Sequence, residues 1–395
     1  MPELHGIKVN ELTVGTRAIN PISTAIIGLL CTATATAGPV ADALDDAFPI
    51  DTPVLVTDIR KAIGQAGTGG TLKPALEAIA DQCSPVIIVV RVAVGVAVGG
   101  ENPVTAEEDQ IAKLIGTVTG ENVYTGMQAF LAAQAQLGIR PRILGVPGLD
   151  SQEVVAELLP IAKQLRAMVY AQAEGDDVAD AITYAEEFSD RELMLIWPKF
   201  AADFDGDTVA RALGLRAKID QEIGWHKTLS NVAVAGVTGL DRDVSVDILG
   251  GDTAAKLLND ANIVTLVRHE GYRFWGNRTL SDEPLFAFES ATRTAQVLKD
   301  EIAEGLTWAI DKPLTKTLVK DIVETINARF RRLVRQEKLI GARAWFDPAQ
   351  NEETDLAAGQ LVIDFEFTPA APLEGLTLNQ RITDRYYASF ADLVA

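Results

Sequence analysis

Apolar positions come in two kinds of run between about Pro21 and Val267: short β-branched stretches and longer amphipathic ones. The short runs 23–30 (STAIIGLL), 53–57 (PVLVT), 85–92 (PVIIVVRV), 141–147 (PRILGVP), 167–172 (AMVYAQ), 192–198 (ELMLIWP) and 262–268 (NIVTLVR) predict strands. They are continuously apolar, as strands covered on both faces are. Between several of them, 71–82, 124–138, 151–166 and 207–224 carry helical spacing. Asp150, with Glu153 three residues on, predicts a capping box for the third of these helices. The alternation points to a largely parallel sheet with helices on both faces, an α/β domain over residues 21–280.

The pattern changes after residue 281. Two long helical runs, 284–310 and 315–339, are followed by strand-like 342–346 (ARAWF) and 360–369 (QLVIDFEFTP), a smaller α+β domain over 281–370. The second helix carries Leu318, Ile322, Ile326, Phe330 and Val334 at i, i+4 spacing, a core-facing stripe. Both ends of the chain alternate like strands: 6–12 (GIKVNEL) and 376–386 (LTLNQRITDRY). The stretches TVGTRAINP and PAAPLEG set them apart as an N-terminal arm (1–20) and a C-terminal arm (371–395), the second spacer stiffened by proline. A lone strand leaves its backbone groups unpaired, so each arm either folds back on its own chain or adds to a neighbour's sheet.

Composition narrows the function classes. The 395 residues are 48% hydrophobic and 23% charged, with a formal net charge of −20. Such an acidic chain repels phosphate backbones and anionic headgroups, so neither nucleic acid nor a membrane surface is an expected partner. The most apolar stretch, 84–100, contains Arg91 and is shorter than the roughly 20 residues a spanning helix needs, and the first residues lack the pattern of a secretory signal. Cys31 and Cys83 are the sole cysteines, read as packed free thiols of a protein folded in a reducing compartment. One segment runs against the overall charge: Lys312 to Arg343 holds nine basic and three acidic residues. Arg331, Arg335 and Lys338 share a helix face with Lys320 and Asn327, flanked by Arg329 and Arg332. This is either a solvated face or a surface for an acidic protein partner.

A search for catalytic chemistry finds none. The loop GQAGTGGTL (64–72) has Leu72 where a dinucleotide fingerprint needs its third glycine, and Gly70 where a P-loop needs lysine. DFDGD (203–207) lacks the glycine and glutamate placement of a calcium loop. His5, His226 and His269 have no metal-ligand spacing, and Ser281, His269 and Asp282 are three residue types near one another rather than a triad.

The blocks GYRFWGNRTLS (271–281), PRILGVPGLD (141–150), ALGLRAKIDQEIGWHKTLSNV (212–232), AGVTGL (235–240) and NQRITDRYY (379–387) occur in that family's pattern across essentially the whole chain: the sequence closely resembles the major tail sheath protein of contractile-tailed phages. It is most similar to sheaths of Peduovirus-type myophages, with R-type pyocin sheaths more distant. The stretch around Asp203–Thr208 is shorter than the family pattern, which touches outer surface decoration.

The resemblance implies a subtilisin-like three-layer domain without protease chemistry, a smaller C-terminal domain facing an inner tube, and extended arms. It implies subunits stacked as hexameric rings, assembled in the host cytoplasm into the virion tail sheath. It also implies contraction that drives the tube through the host envelope and delivers the genome, with no cofactor. Expected partners are further copies of the chain, the inner tail tube protein, and the baseplate and tail terminator proteins, with no nucleic acid and no membrane insertion. Strand donation between subunits falls to Ile7, Val9, Leu12, Leu378, Arg381 and Ile382, and tube contact to Arg329, Arg331, Arg332, Arg335 and Lys338. Tyr272, Phe274 and Trp275 are expected where the two domains meet, with Arg273, Asn277 and Arg278 satisfying carbonyls or carboxylates there. Two other readings remain open from the residues alone: a soluble hydrolase-like α/β enzyme with a site near His269, and a monomeric module whose basic helix captures an acidic partner.

Overall fold

The computed structural model describes residues 18–100, 103–120 and 123–389; Ile7, Val9 and Leu12 lie outside the described residues. Its strands are β1 (Ile26–Thr32), β2 (Pro53–Val56), β3 (Val86–Val92), β4 (Ile143–Gly145), β5 (Met168–Gln172), β6 (Leu193–Ile196), β7 (Ala233–Val234), β8 (Thr265–Arg268), β9 (Tyr272–Trp275), β10 (Leu339–Trp345) and β11 (Asp364–Pro369). The helices are α1 (Pro39–Ala47), α2 (Ile59–Gln65), α3 (Leu72–Ala80), α4 (Ala106–Ile115), α5 (Ala129–Leu137), α6 (Gln152–Leu165), α7 (Val178–Ala185), α8 (Asp207–Glu222), α9 (Ala254–Asp260), α10 (Glu289–Leu306), α11 (Lys316–Arg335) and α12 (Glu353–Ala357).

Six strands form one sheet in the order β2-β3-β1-β4-β5-β6, parallel except for the edge strand β2. Successive side chains of a strand point to opposite faces, and both faces here are covered. Ile27, Leu29 and Cys31 of β1 enter one core with α1, α2, α3 and α8, while Ile26 and Leu30 enter the other with α4 to α7. That double burial is why these strands are apolar at nearly every position, Thr32, Arg91 and Gln172 being the exceptions. Helix α8 comes close to α3 at Gly214, where an added Cβ would meet the Ile79 backbone at 3.0 Å.

The run 262–268 departs from the expected parallel arrangement. Val264 exchanges backbone bonds with Leu195 and Trp197 at the β6 edge, then β8 turns into a separate antiparallel sheet ordered β7-β9-β8. The capping box expected at Asp150 is also absent: Ser151 is the N-cap residue, without a side-chain cap. Asp150 instead accepts the Gln172 N–H at 2.7 Å.

A third core lies between α10, α11 and the β10–β11 ribbon. Leu318, Ile322, Ile326 and Phe330 of the expected stripe are buried in it, with Leu333 rather than Val334 completing the row. Asn327 clamps α11 to the ribbon, donating to the Ala344 carbonyl at 2.9 Å and accepting its N–H at 2.8 Å. Among the described residues, 370–384 contains no strand.

Candidate functional site

Helix α10 ties the third core to α8 and the six-stranded sheet through buried charge. Its Glu289 accepts from Arg216 Nη1 of α8 at 3.1 Å and from the Tyr170 hydroxyl of β5, while its Arg293 pairs with Asp220 of α8. Arg216 also donates to Asp220 at 2.7 Å and to the Lys227 carbonyl at 2.6 Å. Arg216, Asp220 and Glu289 are fully buried. Burial works against the Arg216 charge, but Asp220 and Glu289 outweigh it and hold the guanidinium above its ordinary pKa. Three turns further along α10, two neighbouring carboxylates face opposite ways. Asp300 takes Arg140 at 3.3 Å together with Arg142 and Arg166 from the α/β domain. Glu301 takes Arg329 of α11 in a bidentate pair at 2.6 and 2.8 Å. Burial lowers the Arg142 pKa to about 10, with Asp300 opposing and Arg140 and Arg166 adding to the fall.

These pairs have a consequence for the basic helix. Arg329 is 5% exposed and wholly committed to Glu301, so it is a structural residue and does not belong to an outward face. A guanidinium flanking the apolar stripe is one position from the core, and the buried Glu301 draws it in. Asn327 is likewise spent on the ribbon. Arg331, Arg332 and Arg335 are exposed, with Arg331 3.5 Å from Glu324. Lys338 folds back, its Nζ 4.4 Å above the Trp225 ring, and burial followed by the nearby Arg329 lowers its pKa. The expected basic surface is therefore a patch of three arginines with Lys338 at its edge.

The C-terminal arm leaves the body under restraint. Glu374 accepts both Arg278 Nε and Nη2 at 2.8 Å, and Arg278 lies 5.2 Å over the Phe288 ring. Beyond that anchor Leu376, Leu378 and Ile382 are 70%, 81% and 96% exposed, an apolar row with no cover, and Arg381 is exposed as well. Among the described residues no third strand pairs with the β10–β11 ribbon; Asn327 takes the backbone groups of Ala344 on β10, and Ile340 stands 69% exposed on the same strand.

Comparison with known proteins places the chain in a family. Residues 26–92 match the tail sheath protein Gp18 domain III N-terminal region, 122–280 the phage tail sheath protein central domain, and 281–383 the phage tail sheath C-terminal domain. The chain is 48% identical to the tail sheath protein of Escherichia phage P2, over 99% of this chain and 98% of that protein. It is 46% identical to the major tail sheath protein of Serratia phage KSP20, over 98% of each. The chain belongs to the phage tail sheath family. Its fold extends to contractile injection systems. The PVC sheath complex in its contracted state superposes with a TM-score of 0.69 at 15% identity, over 98% of this chain and 99% of that one. The contracted helical sheath of the anti-feeding prophage gives 0.66 at 13% identity, over 97% and 100%.

Sheath membership makes this a structural protein rather than an enzyme, and the residues once weighed for catalysis have other work. The glycine-rich loop 64–72 is pressed onto the chain beyond β1. Thr68 and Gly69 donate to the Thr34 carbonyl, and a Cβ on Gly67 (φ +75°) would sit 2.5 Å from that oxygen. Thr71 likewise donates to the Thr32 carbonyl. His269 lines a cleft with Val246, Ile248 and Trp275, while Ser281 and Asp282 line a different one. Asp205 pairs with Lys199, and Asp207 with Arg211. Among the described residues no helix is long and apolar enough to cross a membrane, and no group of three His, Cys, Asp or Glu residues could hold a metal ion.

The sheath signature 271–281 divides between two jobs. Phe274 is buried in the α/β core, edge-on to Phe200 at 5.6 Å, so it packs inside that domain rather than at the junction. Tyr272 donates to the Thr238 carbonyl at 2.9 Å, and Arg273 to those of His269 and Asn231 at 2.8 and 3.0 Å. Asn277 and Arg278 do face the C-terminal half: the Asn277 carbonyl accepts the Glu289 N–H that opens α10, and Arg278 holds Glu374. The α10 network escaped the sequence reading. Its one linear signal is the small residues Ser290, Ala291, Thr292, Thr294 and Ala295 between the charges, which let neighbours approach that helix from every side.

Proposed function

We propose that the chain polymerises as stacked hexameric rings around an inner tail tube and contracts to drive that tube through the host envelope for genome delivery. The observation that carries this reading is an exposed apolar arm in a chain whose two-stranded ribbon has no third strand among the described residues. A two-stranded ribbon is marginal in water, and an apolar strand without a partner is worse, so each supplies what the other lacks. Leu378, Arg381 and Ile382 of one subunit, with Ile7, Val9 and Leu12 of another, add strands to the ribbon edges of a neighbour. The α/β body is subtilisin-like in plan, its parallel sheet flanked by helices.

The patch Arg331, Arg332 and Arg335, with Lys338 at its edge, meets the inner tube by charge complementarity. Baseplate and tail terminator proteins close the two ends of the array, which assembles in the host cytoplasm and remains in the virion tail. Contraction is a shift between two packings of rigid bodies, the extended one metastable, with TVGTRAINP and PAAPLEG as the flexing connections. No nucleotide or metal drives it, because the free energy is stored on assembly.

Removing residues 376–395 tests this. The truncated chain keeps its melting temperature within about 3 °C, since residues 376–387 are exposed, yet forms no tubes by negative-stain microscopy. Tubes of ordinary length from that variant would overturn the arm exchange.

A further inference from the structure

At the carboxyl ends of β4, β5 and β6 the α/β domain opens into a cleft of about 950 Å³, walled by α4 and α7. Open α/β sheets keep their ligand crevices at this end of the strands. The cleft's cations are already paired, Lys199 with Asp205 at 3.3 Å and Arg242 with Asp176 at 2.9 Å. Its remaining carboxylates Glu107, Asp150, Glu174 and Asp180 have no ion pair among the described residues. A second observation points the same way. Gln172 on the cleft wall is 7% exposed, and its side-chain Oε1 has no hydrogen-bond partner, although its Nε2 donates to the Ile196 carbonyl at 2.7 Å. The Tyr184 hydroxyl and Ser151 Oγ beside it are also unpartnered. Gln172 Oε1 can only accept, so what it lacks is a donor.

The shape of that demand selects the ligand. Anions meet surplus negative charge here. A bare divalent ion needs its carboxylates focused on one point, and no three of the described ligating groups come together. The acceptors are instead strung along a cleft that Trp197, Phe200, Phe204 and Tyr184 line with rings. Trp197 is fixed by its Nε1 bond to the Gly175 carbonyl at 3.1 Å. Ammonium groups are donor-only and pair with carboxylates, amide oxygens and aromatic faces, while a methylene chain between them covers apolar wall. We propose that this cleft binds a linear aliphatic polyamine, with Asp150 and Glu174 taking its ammonium groups.

Calorimetric titration of the full-length chain with spermidine, against magnesium chloride at equal ionic strength, tests the assignment. Spermidine binds saturably and magnesium does not. Glu174→Gln with Asp150→Asn weakens spermidine binding about tenfold, the loss of charge-assisted hydrogen bonds. Glu77→Gln, an exposed carboxylate outside the cleft, leaves it unchanged. Glu174 is exposed, so Glu174→Gln alone carries the test, with a smaller loss of affinity, should the Asp150 variant fold poorly. Equal affinity in all variants, or an equal magnesium response, would reduce the effect to screening of an acidic protein and overturn the site.

Discussion

Helices α10 and α11 are similar in length and in their share of charged residues, yet they spend that charge in opposite ways. On α10, Glu289, Arg293, Asp300 and Glu301 are buried and paired across elements. On α11, Arg329 alone of the arginines is buried, and Arg331, Arg332 and Arg335 stand in solvent. The charges of α10 fix the third core to the six-stranded sheet, whereas the exposed arginines of α11 remain available to a partner. Breaking a buried pair on one side leaves an uncompensated ion in low dielectric, while an exposed charge is screened and its loss costs little.

The largest expected effect follows from Asp300. Asp300→Ala leaves three arginines facing one another and costs about 3–5 kcal/mol in chemical denaturation, or prevents folding. A cost below about 1 kcal/mol, the range of exposed pairs, would erase the distinction between the helices. Next, Arg329→Ala strands Glu301 and costs about 3 kcal/mol, while Arg335→Ala, one helical face away, stays within about 0.5 kcal/mol. Equal losses at the two positions would break the comparison within a single helix.

Acid sharpens the same junction. Burial, with Lys338 and Arg216 beside it, lowers the His226 pKa to about 4 from its ordinary 6.5. The unfolded chain therefore binds more protons between those values, and the stability present above pH 6.5 is lost as pH falls toward 4. Asp150 has the opposite sign over the lower part of this range. Burial raises its pKa to about 6, against the Gln172 N–H that opposes it, so its charge costs stability as pH rises from about 3.8 to 6. The quantity to measure is thus the difference between parent and His226→Gln, which shrinks as pH falls from 6.5 to 4. A constant difference would place His226 outside the protonation balance. The smallest effect is at the arm root. Glu374→Ala removes a part-exposed pair and costs about 0.5 kcal/mol, with protease cutting within 369–386 faster than in the parent as its readout.

The contrast also explains what could be read from the sequence. Strands β1 and β3 to β6 were legible because burial on both faces makes nearly every position apolar, a local signature. The stripe on α11 was legible for the same reason, since one face packs and the period shows it. Arg329 was not, because whether a stripe-flanking guanidinium turns inward depends on Glu301, 28 residues away. The cap at Asp150 failed similarly: capping residues were present, but the sheet claimed the carboxylate. One local signal was there and went unread. Val98–Thr105 (VGGENPVT) and Val118–Thr125 (VTGENVYT) repeat one pattern twenty residues apart. Each makes the same bridge, Val98 with Val104 and Val118 with Tyr124, on either side of α4. Thr105 of the first then caps that helix in a full capping box with Glu108.

The claim that buried charge builds the body and exposed charge meets the partner is tested most directly by the triple reversal Arg331→Glu, Arg332→Glu, Arg335→Glu. The measurement is sheath assembly on purified inner tubes, followed by electron microscopy at low salt. The account predicts bare tubes from a variant whose melting temperature stays within about 3 °C of the parent, the span of roughly 1 kcal/mol in a chain of this size. Fully sheathed tubes would contradict it.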